Sequence, residues 1–581
     1  MKHVDLRLEH PRPDAVRDSY VSLNGAWDFE IDNDLVGIDK RYMDRMSLDG
    51  KITVPFCPES KLSGVENTDC MKAVWYRRDL SIPREWNGKR ILLHIGACDY
   101  ETHVYVNGKK VGSHKGGYTP FSFDIAPFIE NGGNYVTVYA KDDTRSSHQV
   151  RGKQSPQRES FGCLYTRTTG IWQSVWLEAM DRCCIERYEA VSDTENSTVI
   201  LSVECSEAAL GADICATVCF DGKEVGKAKS VVRGRECVLT VSLSEKHLWD
   251  IGEGNLYDVI FDLSSDGETK DTLRGYFGLR DIRLTRDGFY LNGRRVYGRF
   301  VLDQGYYPDG IYTAPSDAAL IFDIEASMKL GFNGARLHQK VFEPRFLYHA
   351  DRLGYMVFDE TGNWGIDHTD PMSIYDFLPE WIEEVKRDMS HPSVIGWCPF
   401  NETWDLSGKP QNNDFINMIF SVTRAIDPTR PIVTNSGSYP CTSDVHDVHD
   451  YEQDPEKLKE YYSHVDEGIV KCQIYRKNPD RQWYDPSKPI FVSEYGGILW
   501  VEKDGDGWGY GKSVTSEEEF LTRLKGLTDV LLDNKDIFAY CYTQLTDVEQ
   551  EQNGLLTYDR RFKFSPERIY PILSRKAITE D

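Results

Sequence analysis

"SDAALIFDIEASMKLGFNGARLH", residues 316–338, holds one complete helix-to-strand unit and sets the fold class of the second half of the chain. Ser316 is a helix N-cap, because its hydroxyl accepts one of the N–H groups left unpaired in a first turn. Leu320, Ile324 and Met328 recur at helical spacing, and Gly331 supplies the stop. Asn333 to His338 then reads as a short strand. The unit repeats downstream. Pro344 starts a helix, Gly354 ends it, and Tyr355 to Glu360 is a strand. A helix after Pro379 stops at Ser390-His391-Pro392, and Val394 to Phe400 is the next strand. No glycine-rich dinucleotide loop follows any of these strands. Alternation of this kind over residues 284–581 therefore predicts a closed (β/α)8 TIM barrel rather than an open doubly wound sheet.

Upstream the pattern differs. From about residue 20 to 180 short alternating runs are broken by turn signals: ILLHIGA at 91–97, THVYVNGKKVG at 102–112 with an Asn107-Gly108 hairpin signal, and YVTVYAKDD at 135–143. These predict an antiparallel β-sandwich over residues 1–182. STVILSVEC, ICATVCF, ECVLTVSL and LYDVIFDLSS predict a smaller sandwich over residues 183–283. With 581 residues the chain is too long for a single core. Its formal charge of -25 argues against nucleic acid and anionic membrane as partners, since both reward Lys and Arg. MKHVDLRLEHPRPD lacks the apolar run of a signal peptide, and no window is apolar enough for a membrane helix. The expectation is a cytoplasmic protein whose fourteen cysteines stay reduced, and no cysteine pair has zinc-ligand spacing.

The chemistry sits at strand ends. VIGWCPFNETW, residues 394–404, runs from a buried strand into Asn401 and Glu402, and PIFVSEYGG, residues 489–497, runs into Glu494. In a barrel that end is the functional face. Two glutamates across one pocket fit glycoside hydrolysis, which needs a protonated acid for the leaving oxygen and an ionised partner for the anomeric carbon. The plainer reading is two rim charges paired with arginine. Arg336 and His338 share a face of their strand, and Glu360 closes YMVFDE. His338 alone reads as a satisfied core histidine. In DVHDVHDY the odd separation of His446 and His449 sends them to opposite faces, which argues against a metal pair. Asp447, His449 and Tyr451 share one face instead.

Several motifs, in order, resemble glycoside hydrolase family 2, the family of the bacterial β-galactosidases and β-glucuronidases. SLNGAWDF, VWYRRDLSIP, YVNGKKVGSHKGGYTPFSFDI and TRTTGIWQSVWLE resemble its sugar-binding jelly-roll domain; GYFGLRDI and FYLNGRRVYGRF resemble the passage from its immunoglobulin-like domain into its barrel; FNETW and SEYGG resemble its two catalytic motifs. The resemblance implies a retaining double displacement without cofactor or essential metal. Glu402 would be the acid/base and Glu494 the nucleophile, with Asn401 on the sugar 2-hydroxyl and Tyr451 donating to Glu494. It also implies a small glycoside or short oligosaccharide as substrate, and a C2-type homo-oligomer.

For the sugar itself the residues pull two ways. Before GLLTYDR, residues 554–560, the family's glucuronidases carry Asn-x-Lys, whereas this chain has Glu551-Gln552-Asn553; RFVLDQG, residues 299–305, has Gln304 where histidine is usual. Arg299, Arg336 and Lys340 lead toward the pocket, either as a replacement carboxylate clamp or as partners of Glu494, Glu360 and other barrel carboxylates. The balance of these signals is a β-galactosidase-like exo-β-glycosidase. A β-hexuronidase (β-galacturonidase or atypical β-glucuronidase) with a non-standard clamp is the alternative. A non-catalytic carbohydrate-binding protein is the rival of another class, and the intact Glu402 and Glu494 argue against it. The charged segment VRGKQSPQRESFGCLY, residues 150–165, reads equally as a loop reaching over the barrel or as plain surface.

Overall fold

The computed structural model describes residues 4–472, 481, 484–501 and 507–580. The first sandwich packs a four-stranded sheet (Tyr20–Ser22, Val175–Met180, Arg90–Ile95, Phe121–Asp124) on a six-stranded one that runs from Gly50–Val54 to Lys109–Lys115. Trp27, Leu93, Val104, Val138 and Leu177 fill the space between them. The second sandwich pairs Ile185–Asp193, Thr198–Cys205 and Glu236–Ser242 against the sheet containing Asp213–Phe220 and Tyr257–Ser265. Strict alternation is visible in Glu236–Ser242, where Cys237, Leu239 and Val241 are buried and the residues between them are exposed. None of the fourteen cysteines forms a disulfide.

The barrel strands are β1 Gly298–Asp303, β2 Gly334–Leu337, β3 Met356–Glu360, β4 Val394–Cys398, β5 Asn435–Ser436, β6 His446–Asp450, β7 Ile490–Gly496 and β8 Ile537–Thr543. Seven of them form one parallel sheet in the order β4-β3-β2-β1-β8-β7-β6. β5 pairs in parallel with Phe400–Asn401, the continuation of β4, and Asp444 N–H donates to the Ile432 carbonyl at 3.0 Å on its other side. The sheet therefore curls into a barrel. Phe289, Leu291 and Val296, on a three-stranded ribbon ahead of β1, join Phe300, Phe358 and Phe491 in one buried cluster at the N-terminal end, leaving the C-terminal end for polar groups.

Local signals explain the helices. Ser316 caps α1, Asp317–Leu330, by accepting from the Ala319 N–H. α2 spans Pro344–Leu353, with Pro344 in the first turn, where its missing N–H costs nothing. α3 departs from expectation: it spans Ile374–Asp388 and contains Pro379 rather than starting after it. The proline deprives one carbonyl of a partner, that of Tyr375, and Tyr375 is exposed enough for water to take it.

Residues 147–166 of the first sandwich lie against the C-terminal face of the barrel. Arg151 N–H donates to the Trp364 carbonyl at 2.7 Å and Gly152 N–H to the Gly362 carbonyl at 3.1 Å, while Trp508 Nε1 and Gln550 Nε2 donate to the Gly162 carbonyl. Gly152 sits at φ +56, and a Cβ there would lie 2.1 Å from the Gln339 carbonyl oxygen. Only glycine permits so close an approach. Among the described residues no helix is long and apolar enough to cross a membrane.

Candidate active site

β4 is buried throughout, as a run of Val, Ile and Trp between helices should be. Past its continuation, Glu402 turns out at φ +50 with its N–H on the Ser436 carbonyl at 2.8 Å. A left-handed glutamate is uncommon and mildly strained, and here it aims the side chain across the barrel mouth. There it meets His449, whose Nδ1 lies 3.0 Å from Glu402 Oε1 and 3.4 Å from Glu494 Oε2. With the Glu494 carboxylate ionised beside it, Nδ1 is placed to donate. The other nitrogen, Nε2, is 2.9 Å from Ser436 Oγ. Gly437 leaves room for the ring: at φ +67, its Cβ would stand 2.1 Å from His449 Nδ1.

Glu494 ends β7 with its carboxylate surrounded by donors. Arg336 Nη1 donates to Oε1 at 3.0 Å and the Tyr451 hydroxyl donates to Oε2. Tyr451 is in turn stacked on Tyr510, with ring centroids 3.4 Å apart. Burial opposes ionisation of Glu494, but His449 and Arg336 outweigh it and hold the carboxyl well below the usual range. The same two carboxylates have the reverse effect on His449: burial lowers its pKa, Glu494 and Glu402 raise it, and the net shift is upward. Glu402 is the more open of the pair, its side chain 21% exposed against 6% for Glu494. One oxygen of each carboxylate and a ring nitrogen of His449 all lie within 4.8 Å of one another. That spacing would also admit a small cation.

Arg336 is the hub beneath the pair. Nε donates to Glu360 Oε2 at 2.6 Å, Nη1 to Glu494, and Nη2 to Asn401 Oδ1 at 2.7 Å, with the guanidinium 1% exposed. Glu360 also accepts the Gln339 N–H at 3.0 Å, and His338 Nδ1 stands 3.1 Å from its Oε1. Burial again resists the charge, but Arg336 and His338 bring the Glu360 carboxyl down to about 2. Asn401 is fixed through its backbone by Asn363 and Trp364. With Oδ1 taken by Arg336, its Nδ2 has no protein partner among the described residues and remains available to a ligand.

Of the residues expected at the site, the structure gathers Glu402, Glu494, Asn401, Tyr451, His449, Arg336, Glu360 and His338. Two expectations are corrected. Arg299 lies near the start of β1, at the opposite end of the barrel, in an ion pair with Glu580. Lys340 is past the end of β2, but its ammonium turns away to the carbonyls of Gly305 and Tyr312. Arg336 and His338 are present but enclosed, 1% and 2% exposed, with the Arg336 guanidinium committed to Glu360, Glu494 and Asn401. The three cations therefore do not assemble into a carboxylate clamp.

Lys153 was missed as a residue, although its segment was singled out. Its side chain crosses to the barrel and places Nζ 4.7 Å from the centre of the Trp364 ring. Burial lowers its pKa, but Cys163, Glu551, Glu494 and Glu402 raise it by more. Its carbonyl accepts from the Tyr165 N–H at 2.8 Å, and the Tyr165 hydroxyl donates to Glu551 and accepts from Gln304 Nε2 at 3.2 Å. Residues 150–165 are thus part of the barrel mouth. Trp364 and Asn363 were missed because they lie just beyond the β3 end at Glu360; extending the strand-end search by four residues finds both.

Three models of one family match the chain: the sugar binding domain of glycosyl hydrolases family 2 over residues 20–178, a further family 2 model over 184–280, and its TIM barrel domain over 282–500. A β-glucuronidase of Streptococcus agalactiae serotype V is 24% identical over 525 residues, 84% of each chain. A β-galactosidase of Thermoanaerobacter pseudethanolicus is 25% identical over 462 residues, and the match spans 74% of this chain and 55% of the relative. Among solved structures, a Ruminococcus gnavus β-glucuronidase in complex with an N1-substituted uronic isofagomine superposes with a TM-score of 0.78 at 20% identity, covering 96% of this chain and 98% of that one. At that identity the likeness is one of fold.

Proposed function

The chain belongs to glycosyl hydrolase family 2, and on that footing we propose that it is a retaining exo-β-hexuronidase, with Glu494 as nucleophile and Glu402 as acid/base. The observation that carries the mechanism is the separation of the two carboxylates, within 4.8 Å at their nearer ligand atoms. Retaining enzymes hold the pair about 5–5.5 Å apart, whereas inverting enzymes leave about 6.5–9.5 Å for a water between them. The roles follow from the surroundings. Glu494 is buried among donors that keep it ionised, ready to attack the anomeric carbon. Glu402 is the more open group, which suits the residue that must meet both the departing leaving group and the incoming water. Asn401 Nδ2 would reach the 2-hydroxyl, where a hydrogen bond strengthens as the oxocarbenium-like transition state forms.

On the sugar, the relatives shift the balance away from the galactose-type expectation. Their printed names are mostly β-glucuronidases. A β-galactoside is the second reading, favoured by Glu551 and Asn553 where the family's glucuronidases carry asparagine and lysine. The test follows the first-formed anomer by NMR during cleavage of an aryl β-glucuronide. The β-anomer is expected first. Appearance of the α-anomer ahead of mutarotation would remove the double displacement, and cleavage of the aryl β-galactoside alone would remove the uronide.

A further inference from the structure

A hexuronidase must pair the sugar carboxylate with a cation, and the cations expected for that task from the barrel are otherwise engaged. Arg336 is saturated by Glu360, Glu494 and Asn401; Arg299 is at the far end; Lys340 is on two carbonyls. Lys153 differs from all three. It comes from the first sandwich, is only 7% exposed, and among the described residues its ammonium makes no hydrogen bond or ion pair, resting on the face of Trp364. A buried ammonium without an anionic partner is costly, and a ring face compensates only part of that cost. Glu551, Glu494 and Glu402 favour its charge without bonding it among the described residues, which leaves the ammonium free to take an anion that arrives from outside.

We infer that Lys153 binds the carboxylate of the hexuronic acid in the sugar site, so that the sandwich domain supplies the clamp that Arg299, Arg336 and Lys340 do not. The inference rests on the hexuronidase reading above. Its geometry is preorganised. Gly152 is pinned to Gly362 and Trp364, the Lys153 carbonyl takes the Tyr165 N–H, and Gln154 is held between Asp99 and the Thr168 N–H at 2.7 and 2.8 Å. Trp364 is itself fixed by its indole N–H on the Asn401 carbonyl at 3.2 Å, which ties the cation to the residue beside the acid/base. Glu551, which would repel a second carboxylate, is turned to the Tyr165 hydroxyl and to Asn553 Nδ2 at 3.1 Å.

The discriminating quantity is the ratio of kcat/KM on an aryl β-glucuronide to that on the matching β-glucoside, with the galacturonide and galactoside as a second pair. Lys153→Met should lower the uronide value by roughly 100-fold, the scale of one charge-assisted bond, and leave the neutral glycoside within about 3-fold. Lys153→Arg should recover most of the uronide rate. If the wild type prefers uronides and Lys153→Met leaves the ratio unchanged, including by losing both sugars in proportion, the inference is overturned while the hexuronidase reading stands. If the wild type cleaves only neutral glycosides, the reading fails and takes the inference with it. Lys153→Gln is read in the same way should the methionine variant not fold.

Discussion

Removing Arg336 tests the hub beneath the two carboxylates. In Arg336→Met, Glu360 and Glu494 lose their N–H donors at 2.6 and 3.0 Å, and Asn401 loses one at 2.7 Å, in a site 1% exposed. Breaking a buried ion pair by removing one partner costs about 3–5 kcal/mol. For a barrel of this size that corresponds to a melting temperature lower by roughly 5–12 °C. The pH dependence supplies the sign. In the wild type both carboxyls are depressed, Glu360 to about 2, so they contribute stability above the unfolded value near pH 4.3, lost as pH falls through the folded value. Without Arg336 both carboxyls rise from their depressed values, Glu360 the more because Arg336 is its leading charged partner while Glu494 keeps His449, so the stabilisation they contribute above about pH 4.3 shrinks. The gap in melting temperature between wild type and Arg336→Met should therefore be widest at neutral pH and shrink as pH falls below about 5. Turnover should fall by roughly 10- to 150-fold from the lost bond to Glu494 alone. Melting curves and kcat at pH 4 to 8 decide it. A gap that stays constant or widens toward acid, or a kcat within about 3-fold of wild type, refutes the hub.

Other substitutions give distinct outcomes. Glu402→Gln should slow an aryl glycoside with a poor leaving group by about 10²–10⁴-fold and one with a good leaving group far less, because the acid assists departure; equal losses on both would take that role from Glu402. Tyr451→Phe removes the hydroxyl on Glu494 Oε2 while keeping the stack on Tyr510, so kcat should drop about 10-fold or more and the acid limb of the pH–rate profile should rise. Gly437→Ala places a methyl 2.1 Å from His449 Nδ1 and should lower kcat with little change in KM, an unchanged kcat showing that His449 is not needed where it stands.

The barrel was legible because its signals are local. Ser316, Gly331, Pro344 and Gly354 terminate helices whatever lies elsewhere, and only Pro379 misled, since an exposed helical turn tolerates what a buried one would not. Glu402 and Glu494 were legible for a second reason: each ends an apolar strand, and the end of a barrel strand is a functional place. What the residues could not say is which strand end, or which direction, a long cation takes. Arg299 and Arg336 look alike in sequence, yet one occupies the start of its strand and the other the middle of the next. Lys153 depends wholly on tertiary contact, since only docking of the first sandwich on the barrel brings it to Trp364. The choice of sugar is hard to read for the same reason, because a cation carried by another domain leaves no signal in the barrel sequence.

The central claim is that Glu494 forms a covalent bond to the sugar. Incubation with a 2-deoxy-2-fluoro glycosyl fluoride of the uronic acid series, which slows hydrolysis of the intermediate more than its formation, followed by peptide mapping, tests it directly. Inactivation with the sugar mass on Glu494 in the FVSEYGG peptide is the predicted result. A label on Glu402 or any other residue, or turnover of the reagent by an active Glu494→Gln variant, would contradict it.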